Sequence, residues 1–230
     1  MPDLNSPLDL RDVVAELARR YPAGDTLDDP LALIVWENIG YLIDDERRRG
    51  LFEEFGARVG LTAEKIAGAD SALLFDIARR GGMRPETRVE RWRAIARIVL
   101  ADCGGDLVGA LGSLPLGKAR SLLKRFSAIG DPGADKILLF CNIAPRPCLE
   151  SNGVRALARL GFFVEQRSYA ASYGAAIGVI ADQGLIERDW LISAYLALRA
   201  HGRTLCRRST PVCLACPLDD ICVHGVVVKL

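Results

Sequence analysis

The chain has 230 residues, of which 50% are hydrophobic and 26% are charged; this composition excludes a disordered protein and allows one large or two small cores. Its 30 lysines and arginines are balanced by 29 aspartates and glutamates, so a uniformly basic nucleic-acid coat is excluded and a polyanionic partner would have to meet a local basic patch. The uncharged run of residues 168–181 is too short to cross a bilayer, and the N-terminus has no basic, apolar leader. We therefore expect a cytoplasmic protein that does not contact membranes.

Apolar residues recur at helical spacing along most of the chain, beginning with residues 10–17. The same period returns in the segments PLALIVWENIGYLIDDERR, TAEKIA, SALLFDIARR and TRVERWRAIARIVLADC. Capping residues and glycines mark the expected ends: Asp29 followed by proline opens a helix, whereas Gly50 and Gly56 are expected to interrupt one. No stretch alternates with period two over enough residues to make a sheet. The sequence therefore predicts an all-α protein.

Three of the seven cysteines, Cys103, Cys141 and Cys148, are scattered among apolar neighbours. Cysteine in such surroundings behaves as a small hydrophobic side chain, so these three are predicted to be buried and unreactive. The other four crowd the C-terminus. Without a secretion signal, a group of four favours a metal or cluster site over disulfides.

The C-terminal cysteines have the spacing C-x6-C-x2-C-x5-C: Cys206, Cys213, Cys216 and Cys222. Four thiolates this close in sequence can surround one [4Fe-4S] cluster or one zinc ion. Structural zinc usually has two C-x2-C pairs, whereas only Cys213 and Cys216 form such a pair here. The spacing favours a [4Fe-4S] cluster, with zinc and unliganded thiols as the alternatives.

The segment LRAHGRTLCRRSTPVCLACPLDDIC resembles the iron–sulfur loop of endonuclease III and the related adenine glycosylases. In that family the cluster is mainly structural and holds a loop whose basic residues meet DNA phosphates. The resemblance implies that Arg203, Arg207 and Arg208 bind DNA, and residues 190–218 around them contain no acidic residue. The alternative is an ordinary solvated basic face.

The segment FSAIGDPGADKILLF resembles the helix-hairpin-helix element of the same superfamily, in which a glycine turn between two helices offers backbone N–H groups to a DNA phosphate. The resemblance places Ile129 and Gly130 in the turn, and Gly130 and Gly133 are expected to supply its backbone freedom. The second helix is expected from about Ala134. Lys124, just before the turn, is expected to add attraction that does not depend on DNA sequence.

The family carries a catalytic carboxylate shortly after the hairpin, and the resemblance places Glu150 there, with Ser151 and Asn152 capping the following helix. Aspartate is the usual residue in the family, and glutamate is one methylene longer. A displacement of about 1 Å in a reacting group can cost on the order of a hundredfold in rate. Glu150 therefore implies altered chemistry or an altered pocket.

The nucleophilic lysine of the strand-cutting family members also differs, because Pro132 stands at its position. Lys136 lies one helical turn later, about 6 Å along the axis, from where its long side chain could reach the same sugar carbon. It is the candidate Schiff-base nucleophile. The alternative is a surface lysine paired with Asp135 or with a DNA phosphate.

The segment PLALIVWENIGYLIDDERR resembles the first long helix of the family's helical domain, and Glu37 falls where adenine-specific members carry the glutamate that protonates the departing base. On an apolar helix face its neutral form would be favoured, as a general acid requires; the alternative is an ion pair with an arginine. Tyr41 and Leu42 fall nearest to the position from which family members insert a side chain into DNA. Tyr41 is the candidate for that insertion, and Leu42 is expected to pack in the core.

The resemblance implies an all-α, two-lobed helix-hairpin-helix DNA glycosylase fold with an iron–sulfur cluster loop. Residues 28–140 would form a six-helix domain that ends in the hairpin, and residues 1–27 and 141–230 the cluster domain. The implied protein is a monomeric, nucleoid-associated base-excision-repair enzyme, with or without lyase activity through Lys136. It would flip a damaged, mismatched or abasic nucleotide out of double-stranded DNA and cleave its N-glycosidic bond. The alternative, suggested by Pro132 and Glu150, is a non-catalytic binder of distorted or abasic DNA.

Overall fold

The structure is a computed structural model that describes residues 9–225. The regular structure in these residues is helical, and its α-helices are α1 (Leu10–Arg20), α2 (Pro30–Asn38), α3 (Asp45–Arg58), α4 (Ala63–Gly68), α5 (Ser71–Ala78), α6 (Pro85–Cys103), α7 (Leu107–Ser113), α8 (Leu116–Leu123), α9 (Asp131–Phe140), α10 (Ser151–Leu160), α11 (Tyr169–Asp182) and α12 (Arg188–Thr204). The prediction of an all-α protein is confirmed. Across the described residues, no helix is long and apolar enough to cross a membrane.

Aspartate side chains fix the starts of many helices by accepting a backbone N–H of the first turn. Five helices begin after such a residue: Asp9, Asp29, Asp44, Asp70 and Asp106. The start predicted from Asp29 is confirmed, because Asp29 Oδ1 accepts from the N–H of Ala32 at 2.7 Å and Pro30 occupies the first helical position.

The expectation that Gly50 and Gly56 interrupt a helix is wrong, because both lie inside α3. A glycine costs a helix roughly 1 kcal/mol relative to alanine. The same helix buries Phe52 and Phe55, and burying one such side chain contributes about 1.5–3 kcal/mol. The tertiary packing of α3 therefore outweighs its glycines.

The helices form two compact units. The hairpin unit comprises residues 26–144, and its longest helix, α6, packs against α2, α4, α5 and α7. Trp92 on α6 is fully buried and meets the ring of Phe55 edge-on, with 4.8 Å between the ring centroids. Helix α2 packs against both α6 and α9, and α2 and α9 carry two of the three predicted catalytic residues.

The terminal unit comprises residues 9–25 together with residues 145–225; the predicted placement of residues 1–8 and 226–230 lies outside the described residues. In this unit α1 and α10 both pack against α12, and α11 packs against α10. The crossing of α10 and α12 is close at Gly202, where an added Cβ atom would lie 2.5 Å from the carbonyl oxygen of Asn152. Only glycine allows the two backbones to approach this closely.

The three scattered cysteines differ in burial. Cys148 is buried, as predicted. Cys103 and Cys141 are partly exposed, so the prediction of burial is wrong for these two. Burial and the neighbouring Asp102 carboxylate raise the pKa of the Cys103 thiol, which favours its unreactive, protonated form.

Candidate functional site

The predicted hairpin is formed by α8 and α9, which are joined by residues 124–130. The residue with a left-handed backbone in this turn is Ala128, with φ +65°, whereas Gly130 has an extended backbone and Gly133 lies inside α9. The expectation that Gly130 and Gly133 supply the backbone freedom of the turn is therefore wrong. The second helix begins at Asp131 rather than near Ala134. Its earlier start follows from Pro132, whose fixed φ suits the first turn of a helix.

The side chains around this turn are paired. Lys124 Nζ lies 3.0 Å from Asp131 Oδ1, and Arg120 Nη2 lies 3.1 Å from the same oxygen. Arg120 also donates through Nε to Asp135 Oδ1 at 2.7 Å, and Asp135 is fully buried. Ile129 is buried as well. A phosphate approaching Lys124 would therefore compete with the Asp131 carboxylate, although an ion pair this exposed contributes no more than about 1 kcal/mol.

Glu37 on α2 and Lys136 on α9 contact each other directly, with 2.8 Å between Lys136 Nζ and Glu37 Oε1. The Lys136 side chain is only 12% exposed and that of Glu37 is 32% exposed. The ammonium also lies 5.9 Å from the ring centroid of Phe140. The sequence offered an arginine as the partner of Glu37 and Asp135 as the partner of Lys136. The structure instead joins two of the three predicted catalytic residues in one ion pair.

Glu150 is the N-cap residue of α10. Its Oε1 accepts from the backbone N–H of Asn152 at 3.0 Å, and its Oε2 accepts from the Asn152 side-chain amide at 2.8 Å. Ser151 and Asn152 were expected to cap this helix; they lie in its first turn instead, and the carboxylate itself is the cap. A negative charge at this end of a helix is stabilised by the exposed N–H groups and the helix dipole.

A chain of hydrogen bonds connects Glu150 to the first cysteine of the C-terminal group. The Asn152 side-chain oxygen accepts from Arg155 Nη2 at 2.7 Å, and the same guanidinium donates to the carbonyl oxygens of Gly202 at 2.7 Å and Cys206 at 3.1 Å. Burial lowers the pKa of Arg155, but guanidinium remains charged in proteins. The predicted carboxylate and the cysteine loop are thus held by one network within the terminal unit.

The four C-terminal cysteines line a single cavity together with His201 and Arg159. Cys216 Sγ lies 3.8 Å from His201 Nε2 and accepts from the backbone N–H of Leu218 at 3.4 Å. Burial raises the pKa of the Cys216 and Cys222 thiols. Burial also lowers the pKa of His201 to about 4, so its imidazole is neutral at pH 7.

Four cysteine thiols are a donor set that either a [4Fe-4S] cluster or a zinc ion could use. The four cysteines line a common cavity, although within residues 9–225 no three His, Cys, Asp or Glu side chains are arranged as the ligands of one metal ion. Four thiolates with backbone N–H groups directed at sulfur are what a [4Fe-4S] cluster requires.

Arg159 shapes the basic loop that follows Cys206. Its guanidinium donates to the carbonyl oxygens of Arg207 at 2.7 Å and Arg208 at 2.9 Å, and Nη1 lies 3.5 Å from Cys206 Sγ. The side chains of Arg207 and Arg208 are exposed, as is Arg203. The structural role of Arg159 was not predicted; its i, i+4 spacing from Arg155 on α10 was the available signal.

Tyr41 and Leu42 lie on an exposed turn after α2. Tyr41 is 61% exposed, and its backbone N–H donates to the carbonyl oxygen of Gly81 at 2.8 Å. Leu42 is 77% exposed and has φ +56°, so the expectation that it packs in the core is wrong. The exposed Met83 follows Gly82, which forms the bridge with Tyr41. The bridge brings two distant segments side by side, and each contributes exposed apolar residues, which sequence spacing alone could not show.

Comparisons with known proteins agree on one fold, although no family model matches the chain. Endonuclease III of Sulfolobus acidocaldarius is 26% identical over 174 residues, which span 75% of this chain and 72% of the relative. A trapped endonuclease III–DNA covalent intermediate has a TM-score of 0.74 at 16% identity, with 96% of this chain and 97% of the other covered. A thermostable thymine-DNA glycosylase has a TM-score of 0.74 at 15% identity, with 94% and 97% covered. The chain is therefore similar in sequence to an endonuclease III and has the fold of the endonuclease III and thymine-DNA glycosylase structures.

Proposed function

We propose that this protein is a base-excision-repair DNA glycosylase that flips a damaged, mismatched or abasic nucleotide out of double-stranded DNA and cleaves the N-glycosidic bond where a base is still attached. The observation that carries the proposal is the contact between Lys136 and Glu37, which puts an amine and a carboxyl group together one turn beyond the hairpin. The endonuclease III relative and the solved endonuclease III–DNA complexes of the same fold support it. The protein would act as a monomer on nucleoid DNA in the cytoplasm.

Two elements would hold the DNA backbone. The start of α9, at Gly130, would offer backbone N–H groups to one phosphate, with Lys124 released from Asp131 as the phosphate approaches. The loop held by Arg159 would present Arg203, Arg207 and Arg208 to other phosphates. These contacts position the protein without reading the DNA sequence.

The exposed apolar turn would open the base stack. Tyr41 and Leu42 are large enough to occupy the space that a flipped nucleotide leaves, and neither has to be uncovered first. Unstacking costs a few kcal/mol and is cheapest at a lesion or a mismatch. This difference supplies selectivity before any contact in a base pocket.

The chemistry would use three side chains. Lys136 would attack C1′ of the sugar, and Glu37 would protonate the departing base. Glu150 would stabilise the positive charge that develops on the sugar as the glycosidic bond lengthens. The imine formed by Lys136 would then allow strand cleavage by β-elimination.

The cavity lined by Cys206, Cys213, Cys216 and Cys222 would hold a [4Fe-4S] cluster. When bound, the cluster would cross-link the loop, and Arg159 would hold the loop's backbone to α10. We expect anaerobically purified protein to be brown and to contain about four iron atoms per chain. Colourless, iron-free protein would contradict this assignment.

The proposed activity is tested by incubating the protein with duplexes that carry oxidised, deaminated, alkylated, mismatched or abasic positions. Strand breaks scored with and without alkali distinguish a glycosylase from a glycosylase with lyase activity. Cyanoborohydride should trap a covalent adduct on abasic DNA, and Lys136→Ala should abolish it. Binding without alkali-labile sites or adducts on any duplex would instead identify a non-catalytic DNA binder.

A further inference from the structure

We propose that Glu37 is the base that activates Lys136, and that one proton moves between the two side chains in each reaction cycle. This inference rests on the proposed function, because it assigns how the amine of Lys136 becomes a nucleophile. It adds a second role to Glu37, which the resemblance assigns only to protonation of the base. The same carboxyl group would first receive the proton of Lys136 and then pass it to the leaving group.

The geometry suits direct transfer. Lys136 Nζ and Glu37 Oε1 are 2.8 Å apart, which is the length of a charge-assisted hydrogen bond along which a proton can move without an intervening water. The two residues are 99 positions apart in sequence and come from α2 and α9 of the same unit. Their contact is therefore a product of the fold and not of local helix spacing.

Each residue alone has the wrong charge for its task at neutral pH. An unperturbed lysine has a pKa of about 10.4 and an unperturbed glutamate one of about 4.3, so the amine is protonated and the carboxyl group is ionised. One transfer from Lys136 to Glu37 makes the amine nucleophilic and the carboxyl group acidic together. The total charge of the pair does not change, so no proton has to be exchanged with solvent.

Substrate binding would favour this transfer. Lys136 is already largely buried, and bound DNA would remove water from the remaining exposed part of the pair. Desolvation penalises separated charges, so it favours the neutral amine and the neutral carboxylic acid over the ion pair. The ion pair would thus be the resting form and the neutral pair the reactive form.

The step balances in atoms and charge. The nitrogen lone pair of Lys136 forms a bond to C1′, the C1′–N glycosidic bond breaks, and its electron pair leaves with the base, which takes the proton from Glu37. On abasic DNA the amine adds to the C1′ aldehyde and gives one of its protons to the resulting oxygen; the proton from Glu37 goes to the same oxygen, and water leaves as the iminium forms. In both cases Glu37 ends as a carboxylate.

This mechanism predicts a distinctive pH profile for iminium formation. Transfer within the pair leaves its total number of protons unchanged, so the rate should form a plateau across neutral pH. Below the plateau Glu37 is already protonated and cannot accept; above it the pair has no proton to give to the leaving oxygen. A lysine without this base should instead speed up about tenfold for each pH unit.

The test measures the rate of cyanoborohydride trapping on an abasic duplex from pH 5 to pH 9 for the wild type, Glu37→Gln and Glu37→Asp. We expect Glu37→Gln to be roughly 100-fold slower at pH 7 and to approach the wild type as pH rises. Glu37→Asp should be slower than the wild type but keep the plateau, because it keeps a carboxylate. Glu53→Gln, on an exposed glutamate of α3, is the matched control and should match the wild type.

The outcomes separate this inference from the proposed function. A wild-type adduct that Lys136→Ala removes, together with a Glu37→Gln rate equal to the wild type or lowered by one constant factor at every pH, overturns the inference and leaves the proposed lyase intact. No wild-type adduct at any pH overturns the inference and the proposed lyase step, whereas alkali-labile sites on base-containing duplexes would still support the proposed glycosylase. Because Glu37→Gln leaves a buried lysine without its carboxylate, thermal unfolding of each variant is compared with Glu53→Gln, and the Glu37→Asp profile decides the question if Glu37→Gln unfolds.

Discussion

Lys124 and Asp131 form an ion pair across the hairpin turn, with 3.0 Å between Nζ and Oδ1. Asp131 is the first residue of α9, where a phosphate would meet the backbone N–H groups of the helix. The Asp131 carboxylate therefore pairs with the positive charge of Lys124, and it also repels the anion that the hairpin is expected to bind.

We expect Asp131→Asn to bind duplex DNA several-fold more tightly than the wild type, because an exposed ion pair is worth about 1 kcal/mol or less and its loss frees a cation for phosphate. Anisotropy titrations with a duplex that carries a stable abasic analogue would measure this change. A plot of the logarithm of the binding constant against the logarithm of salt concentration should become steeper by about the release of one counterion. Glu53→Gln controls for the change in net charge, and equal or weaker binding by Asp131→Asn would show that the hairpin does not receive a phosphate.

The side-chain amide of Asn152 holds Glu150 Oε2 at 2.8 Å. We expect Asn152→Ala to slow base release by about 10- to 100-fold, since the carboxylate keeps only its backbone hydrogen bond and loses its orientation. Single-turnover rates and equilibrium binding measured on one duplex separate the two effects, and binding should be unchanged. Ser151→Ala is the neighbouring control. Equal base-release rates for the two variants would show that Asn152 does not contribute to base release.

Arg159 holds the carbonyl oxygens of Arg207 and Arg208. We expect Arg159→Ala to weaken DNA binding more than Arg207→Ala, because it releases the backbone of the whole loop, and each hydrogen bond from a charged group contributes about 1.5–3 kcal/mol. Limited proteolysis should cut the loop of Arg159→Ala faster, whereas Arg207→Ala should resemble the wild type. Identical proteolysis of the two variants would contradict this role.

Glu54 predicts how stability depends on pH. Hydrogen bonds from Arg80 and Arg58 lower its pKa below the usual value, so the folded state binds a proton less readily than the unfolded chain. The resulting stability is complete above the ordinary glutamate pKa of about 4.3 and is lost as pH falls through the lowered value. Urea unfolding at several pH values between 3 and 7 should show a shallower acid-side decline for Glu54→Gln than for the wild type. An unchanged decline would mean that other carboxylates control it.

Local patterns predicted the helices, but packing decided where they end. The N-cap at Asp29 is predictable from the sequence because a capping side chain bonds a backbone N–H within three residues of itself. The prediction that Gly50 and Gly56 interrupt a helix is wrong because it considers only the local cost of a glycine in a helix. Phe52 and Phe55 stabilise α3 by burial among residues distant in sequence. The early start of α9 at Asp131 follows from Pro132, whose fixed φ suits the first turn of a helix. This signal is present in the sequence, but the resemblance draws attention only to the missing lysine at that position.

The side chains of the candidate site were predicted one at a time, and their partners were not. Nothing local connects Glu37 with Lys136, which are brought together by the packing of the hairpin unit. Leu42 is predicted to pack in the core, but it is 77% exposed. The neighbouring Tyr41 is tied to Gly81, and the left-handed backbone at Leu42 directs the chain outward.

The absence of a side chain at Gly202 lets α12 lie directly against the backbone of Asn152. That point is two residues after Glu150, the N-cap of α10, and four residues before Cys206, which follows the end of α12. A small shift at the crossing would therefore carry the carboxylate and the first sulfur along together, as parts of one rigid joint. Damage to the C-terminal loop and loss of turnover should then set in at the same temperature, as one event.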